Sequence, residues 1–465
     1  MSQPNRLNSG GRIDRDRPIS FKWRGKTLTG FEGDTLASAL LANGVSTVAR
    51  SFKYSRPRGI VAAGAEEPNA IMQLGATQAT QIPNVRATQQ ALYEGLVAAP
   101  TSGWPSLRFD LMGLVGKIAG SAMPPGFYYK TFMYPKTFWM TYEKFIRRAA
   151  GFGRAPKKPD PDQYDKVNQH CDVLVVGGGP AGLMAAFTAA SSGARVILAD
   201  EQEEMGGQLL SSHETIDGQI GANWVKAVLE RLASMNDVIL LPRATVNGYH
   251  DHNFLTIHER LTDHINVQSG SVRQRLHRVR AKWVILATGA HERPLVFGNN
   301  DLPGCMLCSA VSTYINRYAV VPGQRLVVMT SNDSGYQAAI DWHQAGREVV
   351  AVVDTREGVQ GDLVNAARAR GITIFQGSGI IDVKGRRHVQ SVEIAKIDAE
   401  GHRVVGGSQQ LLCDTVASSG GWSPVVHLSC HTGRRPEWSQ DALGFVPAPT
   451  KEPMVAAGAV TGCTS

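Results

Sequence analysis

The first 170 residues of this 465-residue chain contain no cysteine. Six cysteines are scattered over the remainder, at Cys171, Cys305, Cys308, Cys413, Cys430 and Cys463. This is not the dense disulfide framework of a small secreted protein, so we expect buried thiols. The polar, Arg-rich N-terminus has no apolar core typical of a secretory signal. No segment reaches the roughly eighteen uncharged apolar residues of a membrane span. These absences predict a soluble, cytoplasmic protein that binds no membrane.

The chain has few acidic residues relative to basic ones, with 40 Asp and Glu against 48 Lys and Arg, a net charge of +8. Basic residues are not combined with stacking aromatics or a nucleic-acid recognition module, so we expect no nucleic-acid partner. Hydrophobic residues make up 43% of the chain and glycines number 49. This length and composition predict two or three folded domains, and the glycines favour nucleotide-binding turns.

The N-terminal part reads as a small α+β domain. Residues 1–17 have little to bury and are expected to form a disordered leader. Within residues 18–100, two alternating segments (19–23 and 27–31) predict a hairpin, and residues 35–44 predict a helix capped by Asp34 or Thr35. This order is ferredoxin-like. The loop 51–69 lacks the cysteines that hold a [2Fe–2S] cluster, so we predict a scaffold without a cluster and no metal site in the chain.

Residues 101–169 are interpreted as an aromatic-rich arm followed by a linker from residue 151. Prolines interrupt the arm, which argues against one continuous surface helix. The arm packs either on another protein surface or on its own chain. Its aromatic residues are Trp104, Phe109, Phe127, Tyr128, Tyr129, Phe132, Tyr134, Phe138, Trp139, Tyr142 and Phe145.

Residues 170–465 predict a Rossmann-type fold that begins with a dinucleotide-binding fingerprint. An apolar strand (171–176) runs into a G-x-G-x-x-G loop (177–182) and then into an Ala-rich helix (183–192). The loop glycines allow a tight turn, approach of a pyrophosphate and close helix packing. A second strand ends at Asp200, whose carboxylate is suited to the ribose hydroxyls of NAD and repels the 2′-phosphate of NADP. Gly206, Gly207 and Gln208 are expected to form a further turn whose backbone can approach the bound nucleotide closely.

Two further segments complete the α/β pattern. The strand 283–290 ends in Ala287, Thr288 and Gly289. Residues 324–415 repeat a strand–helix–strand unit without the glycine fingerprint, so we predict an inserted, degenerate second Rossmann unit. The predicted fold class is α/β, a two-dinucleotide-binding-domain flavoprotein-like fold preceded by the ferredoxin-like domain.

Several motifs give this layout a family resemblance. They are SFKYSRPRG at 51–59, EEPN at 66–69, GFYYKTF at 126–132, ATGAHERP at 287–294 and GGWSP at 420–424. Together they resemble the α subunit of heterotetrameric sarcosine oxidases over residues 18–465. The resemblance implies a complex with β, γ and δ subunits that oxidatively demethylates sarcosine to glycine. It also implies FAD on the β subunit, FMN at the α/β interface and NAD in the α subunit, with tetrahydrofolate bound by the C-terminal half of the α subunit.

The resemblance and the fingerprint together give a predicted set of cofactor-binding residues. They are Gly177, Gly179, Pro180, Ala181, Gly182, Asp200, Glu201, Gln202, Gly207, Gln208, Val246, Ala287, Thr288, Gly289 and Ala459.

Two departures from the family pattern matter. The sequence ends at Ser465, about half the family's length, so it does not include the folate-binding domain. We expect either that the sequence is a fragment or that this domain is encoded separately. Ala459 also stands where FAD-binding relatives carry the Asp of a Gly-Asp pair, and a methyl group cannot hold a flavin ribityl chain. This favours NAD over FAD in this chain.

Two other functions stay open at this point. Cys305 and Cys308 form a C-x-x-C pair, which is compatible with a pyridine-nucleotide disulfide oxidoreductase. Alternatively, the chain is a non-catalytic NAD-binding structural subunit. His291 and Glu292 are candidates for a polar site, but we assign no catalytic residue and expect the chain to be inactive alone.

Overall fold

The structure is a computed structural model, and it describes residues 3–111, 113, 134–266 and 270–463. The chain divides into two compact units. The first comprises Met1–Asp160 and Leu295–Ser419, and the second comprises Pro161–Pro294 and Gly420–Ser465. The motif at 126–132 and its aromatic residues lie outside the described residues. Within the described part of the chain, no helix has the length and apolar character needed to cross a lipid bilayer.

The N-terminal domain of the first unit is a five-stranded sheet with order β2-β1-β7-β5-β6. Helix α1 is buried along its whole length, and Thr35 caps it by a reciprocal arrangement with Ser38. The predicted hairpin and helix are therefore present. The elements are β1 (Asp14–Trp23), β2 (Lys26–Glu32), α1 (Leu36–Ala42), β3 (Ala49–Arg50), β4 (Pro57–Arg58), β5 (Ile71–Leu74), β6 (Ile82–Arg86) and β7 (Val97–Pro100).

Residues 3–17 are ordered, in contrast to the disordered leader expected from their composition. The side chains of Arg6 and Asp34 are both buried and form an ion pair of 2.6 Å. The amide of Leu7 donates a hydrogen bond to the carbonyl of Ala319 at 2.8 Å. Order here comes from a buried ion pair and distant backbone partners, which a count of apolar residues does not detect.

The described part of the aromatic arm contains helix α2 (Trp139–Ala149) after a short 3₁₀ turn (Lys136–Phe138). Most of the described aromatic side chains of the arm are exposed, with Tyr134 at 87% and Phe145 at 72%, whereas Tyr142 is half-buried. The expected linker ends earlier than residue 169, because the next strand already begins at Gln163. Residues 163–169 pair in parallel with the strand Val272–Leu286, and composition alone does not reveal such pairing.

The second unit contains the predicted fingerprint. Its parallel strands run in the order β12-β9-β8-β15-β28. β14 pairs antiparallel with β15, and β13 pairs antiparallel with β14. The elements are β8 (Gln163–Val176), α3 (Pro180–Ser191), β9 (Val196–Ala199), β10 (Thr215–Ile216), β11 (Gln219–Ile220), α4 (Gly221–Ala233), β12 (Val238–Leu241), β13 (Ala244–His250), β14 (Phe254–Arg260), β15 (Val272–Leu286), β16 (Ala290–Glu292), β25 (Trp422–Pro424), α8 (His427–Cys430), β26 (Glu437–Ser439), β27 (Gly444–Val446) and β28 (Met454–Ala456).

The second Rossmann domain lies in the first unit. Its parallel sheet has the order β17-β24-β18-β19-β20, beside an antiparallel sheet of β21, β22 and β23. This domain includes residues before and after the predicted range 324–415. The elements are β17 (Cys305–Leu307), α5 (Cys308–Asn316), β18 (Arg325–Thr330), α6 (Ser334–Gln344), β19 (Glu348–Asp354), α7 (Asp362–Ala369), β20 (Ile374–Phe375), β21 (Ser378–Lys384), β22 (Ser391–Ile397), β23 (Val404–Leu412) and β24 (Thr415–Ser419).

Candidate dinucleotide-binding site

The glycine-rich loop connects β8 to α3 in a conformation that requires glycine at two positions. Gly177 has φ +102°, and a Cβ atom there would overlap the carbonyl of Ala287. A Cβ atom on Gly182 would overlap the carbonyl of Gly177, where the helix passes close to the strand. Both glycines therefore hold the loop closed between β8 and β15.

Gly179 differs from these two glycines. A Cβ atom on Gly179 would meet no heavy atom within 4 Å, so the space beside its Cα is open. Gly179 caps helix α3 in an extended conformation, and Pro180 occupies the first turn, where no intrahelical N–H bond is lost. The helix N-terminus offers unpaired N–H groups and a positive dipole end to an anion. The open space is thus suited to a pyrophosphate.

Asp200 follows β9 and faces the glycine loop. Its Oδ2 accepts a hydrogen bond from the amide of Gly178 at 2.5 Å, and its Oδ1 accepts one from the amide of Gln202 at 2.7 Å. The carboxylate therefore fixes the loop as well as presenting charge at the strand end. Glu201, next along the chain, accepts a hydrogen bond at its carbonyl from Arg260 at 2.7 Å. The sequence indicated the acid at this position but not its bond to the loop.

The Gly206-Gly207-Gln208 turn packs against the same loop. The amide of Gly206 donates to the carbonyl of Gly178 at 2.8 Å. Gly207 has φ +55°, and a Cβ atom there would lie 3.1 Å from the Cα of Gly179. The structure thus brings the loop, Asp200 and the glycine turn together, as the sequence pattern indicated.

The C-terminal ends of β15 and β28 complete this edge of the sheet. The amide of Ala287 donates to the carbonyl of Val176, and the Thr288 hydroxyl donates to the carbonyl of Val425 at 2.7 Å. Gly289 has φ +73° and turns the chain away from the strand. The Thr288 hydroxyl is therefore a structural anchor of this turn.

The segment after β28 brings Ala459 to the fingerprint helix. The amide of Ala457 donates to the carbonyl of Leu286 at 2.9 Å. Gly458 has φ +74°, and a Cβ atom there would lie 2.6 Å from the Cβ of Ala181. Ala459 follows in a 3₁₀ turn (Gly458–Thr461) and offers only a methyl group beside the start of α3.

The Val246 side chain is buried, like that of Ala287 in the same predicted set. Val246 lies on β13, and its buried side chain belongs to the apolar core of the second unit. Gln202 and Gln208, in contrast, are exposed.

The Cys305 and Cys308 side chains are both buried. Cys305 lies on β17 and Cys308 begins α5. Burial raises the pKa of the Cys305 thiol well above its usual range. Because the thiolate is the reactive species, this environment disfavours a redox dithiol.

The second Rossmann domain carries an acid at the end of β19, but that acid is occupied. Asp354 is fully buried, and its Oδ2 accepts from the Tyr336 hydroxyl at 2.8 Å and from Arg356 at 2.9 Å. Arg356 also pairs with Asp333 at the start of α6. The structural role of this unit stays a prediction.

Sequence reasoning missed Glu67, a buried acid in the loop where a ferredoxin would hold its cluster. Its Oε2 accepts from the amides of Val61 and Ala62, both at 2.8 Å. Its Oε1 accepts from Asn69 at 2.7 Å and Ala70 at 2.9 Å. No periodicity reveals this role, because every donor is a backbone N–H group.

Residues 16–103 match the family model described as "2Fe-2S iron-sulfur cluster binding domain". The donor set does not fit that cluster, because the chain has no cysteine before Cys171. Among the described residues, no group of three or more His, Cys, Asp or Glu side chains is placed to hold a metal ion.

Two curated relatives match almost the whole chain. The sarcosine oxidase subunit alpha of Rhizobium meliloti (strain 1021) is 44% identical over 457 residues, covering 98% of this chain and 45% of the relative. That of Corynebacterium sp. (strain U-96) is 37% identical over 473 residues, covering 99% and 44%. The resemblance to the N-terminal half of these α subunits is confirmed. The chain spans less than half the length of both relatives.

A solved structure supports the fold. The crystal structure of L-proline dehydrogenase from P. horikoshii matches 99% of this chain and 71% of that chain, with a TM-score of 0.61 and 17% identity. At this identity the similarity shows the fold alone. The predicted fold class, a ferredoxin-like domain before a two-dinucleotide-binding-domain fold, is confirmed.

A second family model covers more than half of the chain. Residues 171–435 match the model described as "Pyridine nucleotide-disulphide oxidoreductase". This range begins on β8 and includes the glycine loop, Asp200 and the Ala287–Gly289 turn. The chain therefore belongs to the pyridine nucleotide-disulphide oxidoreductase family.

Proposed function

We propose that this chain is the NAD-binding α-type subunit of a sarcosine oxidase complex that oxidatively demethylates sarcosine to glycine. The observation that carries the proposal is the open space beside Gly179 at the N-terminus of α3. Asp200 and the glycine turn are hydrogen-bonded to this loop, and Gly458, next to Ala459, lies close to Ala181 at the start of α3. NAD, when bound, supplies a hydride-accepting nicotinamide ring.

The residues of the site have distinct roles in this proposal. The amides at the start of α3 bind the pyrophosphate, because helix N-termini attract anions. Asp200 orients the adenosine ribose and disfavours NADP, because its charge would repel a 2′-phosphate. Glu201, Gln202 and Gln208 lie on the loops that flank this acid and contribute further polar contacts.

Ala459 favours NAD over FAD. FAD-binding relatives hold the ribityl chain with a carboxylate at this position, and Ala459 has no hydrogen-bonding side chain. The amine-oxidising FAD accordingly belongs to a partner subunit, and FMN belongs at the interface with a β-type subunit.

The partners that we propose are β-, γ- and δ-type subunits, assembled in the cytoplasm. The exposed aromatic side chains around α2 support a role in this assembly, because aromatic residues are enriched in interface cores. Tetrahydrofolate is a ligand of the assembly only if the C-terminal half of the α subunit is present.

A non-catalytic NAD-binding role is the second candidate function, because we assign no catalytic side chain to this chain. The dithiol alternative has less support, since Cys305 and Cys308 are buried.

Calorimetry on the purified chain tests the nucleotide assignment. We expect NAD to bind with micromolar affinity, NADP to bind at least tenfold more weakly and FAD to bind no better than NADP. Micromolar FAD binding without NAD binding would contradict the argument from Ala459.

A further inference from the structure

A cavity of about 360 Å³ lies within the second unit, beyond the turn that follows β15. Its walls come from two small pieces of sheet. In the β16–β25 ribbon, His291 lies opposite Ser423. In the β26–β27 hairpin, Trp438 lies opposite Phe445. This volume falls within the range of small-molecule pockets in proteins, which begins at roughly 300 Å³.

Most of the cavity wall is apolar. The rings of Trp438 and Phe445 meet edge to face, with their centroids 5.3 Å apart. They are nevertheless 55% and 52% exposed. Pro424, Val425 and Leu443 add aliphatic surface. A flat apolar ligand body would cover these uncovered rings and gain from their removal from water.

The ionisable side chains of the wall are basic, and Ser423 adds a hydroxyl group. Arg293, His291 and His427 line the cavity, and none of its described lining residues is Asp or Glu. Arg293 is held by its backbone, whose amide donates to the carbonyl of Gly421 at 2.8 Å. Its Nη1 donates to the carbonyl of Leu443, also at 2.8 Å.

The guanidinium of Arg293 keeps unused hydrogen-bonding capacity. Its Nε is buried and has no hydrogen-bond partner among the residues that the structure describes. A guanidinium carries five N–H donors and stays charged. Because this Nε is closed off from solvent, a carboxylate in the cavity would pair with the Nη groups of the guanidinium.

We propose that this cavity binds a small organic carboxylate with an aromatic or apolar body. The site adjoins the predicted dinucleotide-binding turn, because Val425 in the cavity wall is hydrogen-bonded to Thr288 and Gly289. The carboxylate pairs with Arg293, since a guanidinium matches its two oxygens in geometry and charge. The ligand body lies against Trp438 and Phe445. The cavity is suited to a monoanion because Arg293 is its one permanent charge among the described lining residues.

Benzoate is the probe that tests this inference, with benzamide as its neutral isostere and acetate as the anion without an apolar body. Calorimetry or ligand-observed NMR on the full chain should show saturable benzoate binding, at least tenfold tighter than binding of benzamide or acetate. Equal binding of benzamide would overturn the proposal, and so would the absence of saturable benzoate binding.

Substitutions in the cavity wall test whether benzoate binds in this cavity. Arg293→Gln should weaken benzoate binding at least tenfold and leave NAD binding within twofold. Arg435→Gln is the matched control, because Arg435 is exposed and near Trp438 in sequence but does not line the cavity. The control should bind benzoate within twofold of the unaltered chain. Unchanged benzoate binding in Arg293→Gln would contradict the proposal.

A second variant keeps the test decisive if loss of Arg293 impairs folding. Trp438→Ala removes a half-exposed wall of the cavity and should also weaken benzoate binding at least tenfold, whereas unchanged binding would overturn the proposal.

Saturating NAD should not displace benzoate. Displacement would show that the cavity belongs to the dinucleotide site and would also overturn the proposal. Benzoate binding in a chain that fails to bind NAD would separate this inference from the proposed function.

Discussion

Oδ2 of Asp200 lies 2.5 Å from the backbone nitrogen of Gly178, so the acid at the end of β9 is bonded directly to the glycine loop. The same carboxylate is proposed to accept hydrogen bonds from the ribose of NAD. One side chain thereby couples the conformation of the phosphate-binding loop to recognition of the sugar.

Replacing Asp200 with Ala should weaken NAD binding. Hydrogen bonds to a charged acceptor are worth about 1.5–3 kcal/mol each, so the loss should be roughly tenfold or more. Calorimetric titration with NAD measures it. Asp251→Ala is the control, because Asp251 is exposed in the turn between β13 and β14. A loss below twofold for Asp200→Ala would show that another group binds the ribose.

Alanine substitutions at two glycines of the loop should affect the stability of the chain and its NAD binding differently. Gly179→Ala should leave thermal stability nearly unchanged, because its φ of −72° suits alanine and no heavy atom lies within 4 Å of the new methyl. The methyl would occupy the space proposed for the pyrophosphate, so NAD binding should fall at least tenfold.

Gly182→Ala is the matched comparison. Its methyl would overlap the carbonyl of Gly177, so we expect a loss of stability of about 1–3 kcal/mol by thermal or urea unfolding. If Gly179→Ala binds NAD as tightly as the unaltered chain does, the pyrophosphate does not bind beside Gly179.

The sequence predicted the parts of the site that depend on local pattern. The strand, the glycine loop, the helix and Asp200 follow one another along the chain, and their spacing alone indicates the fold. It could not predict that the Val246 side chain is buried, because this depends on how β13 packs in the sheet, and its contact with the cofactor stays a prediction. The order of residues 3–17 was also missed, because Arg6 finds its partner Asp34 only in the folded domain.

The loop at 51–69 shows the same limit. Its lack of cysteine is visible in the sequence, but the carboxylate that organises the adjoining backbone is not. Glu67 acts through four backbone amides, and backbone donors have no sequence signature.

Replacing Glu67 with Gln should destabilise the chain by about 2–4 kcal/mol. The amide NH₂ would face backbone N–H donors and leave them without acceptors. Urea unfolding measures the loss, and Glu66→Gln is the control, since Glu66 accepts one longer hydrogen bond of 3.2 Å from Gly64. Equal stability of the two variants would contradict this role.

Iron and acid-labile sulfide assays on the unaltered chain should be negative.

Cysteine alkylation should distinguish buried from accessible thiols. Burial raises the pKa of Cys413 to about 12 and that of Cys171 to about 12, so at pH 8 a thiolate fraction on the order of 10⁻⁴ remains. Exposed Cys463 should react with iodoacetamide first, and Cys305 should stay unmodified. Mass spectrometry after limited alkylation measures the order. The reaction should accelerate as the pH rises, because the thiolate is the nucleophile. Rapid modification of Cys305 and Cys308 would revive the dithiol alternative.

The isolated chain should show no sarcosine oxidation. In the proposed function the amine-oxidising FAD lies on a β-type subunit, and this chain supplies NAD binding and part of the interface that encloses FMN. The exposed aromatic side chains of the arm, including Trp139 and Phe145, should promote association of the chain on its own.

Co-expression with a β-type subunit should therefore improve the fraction of monodisperse protein in size-exclusion chromatography. Phe145→Ser should improve it without a partner, because it removes an exposed ring from α2. The matched control, Lys144→Ser, changes an exposed neighbour without removing apolar surface and should have no such effect. Sarcosine-dependent peroxide production by the purified single chain, with no other subunit detectable by mass spectrometry, would contradict the proposed division of labour and place the reaction within these residues.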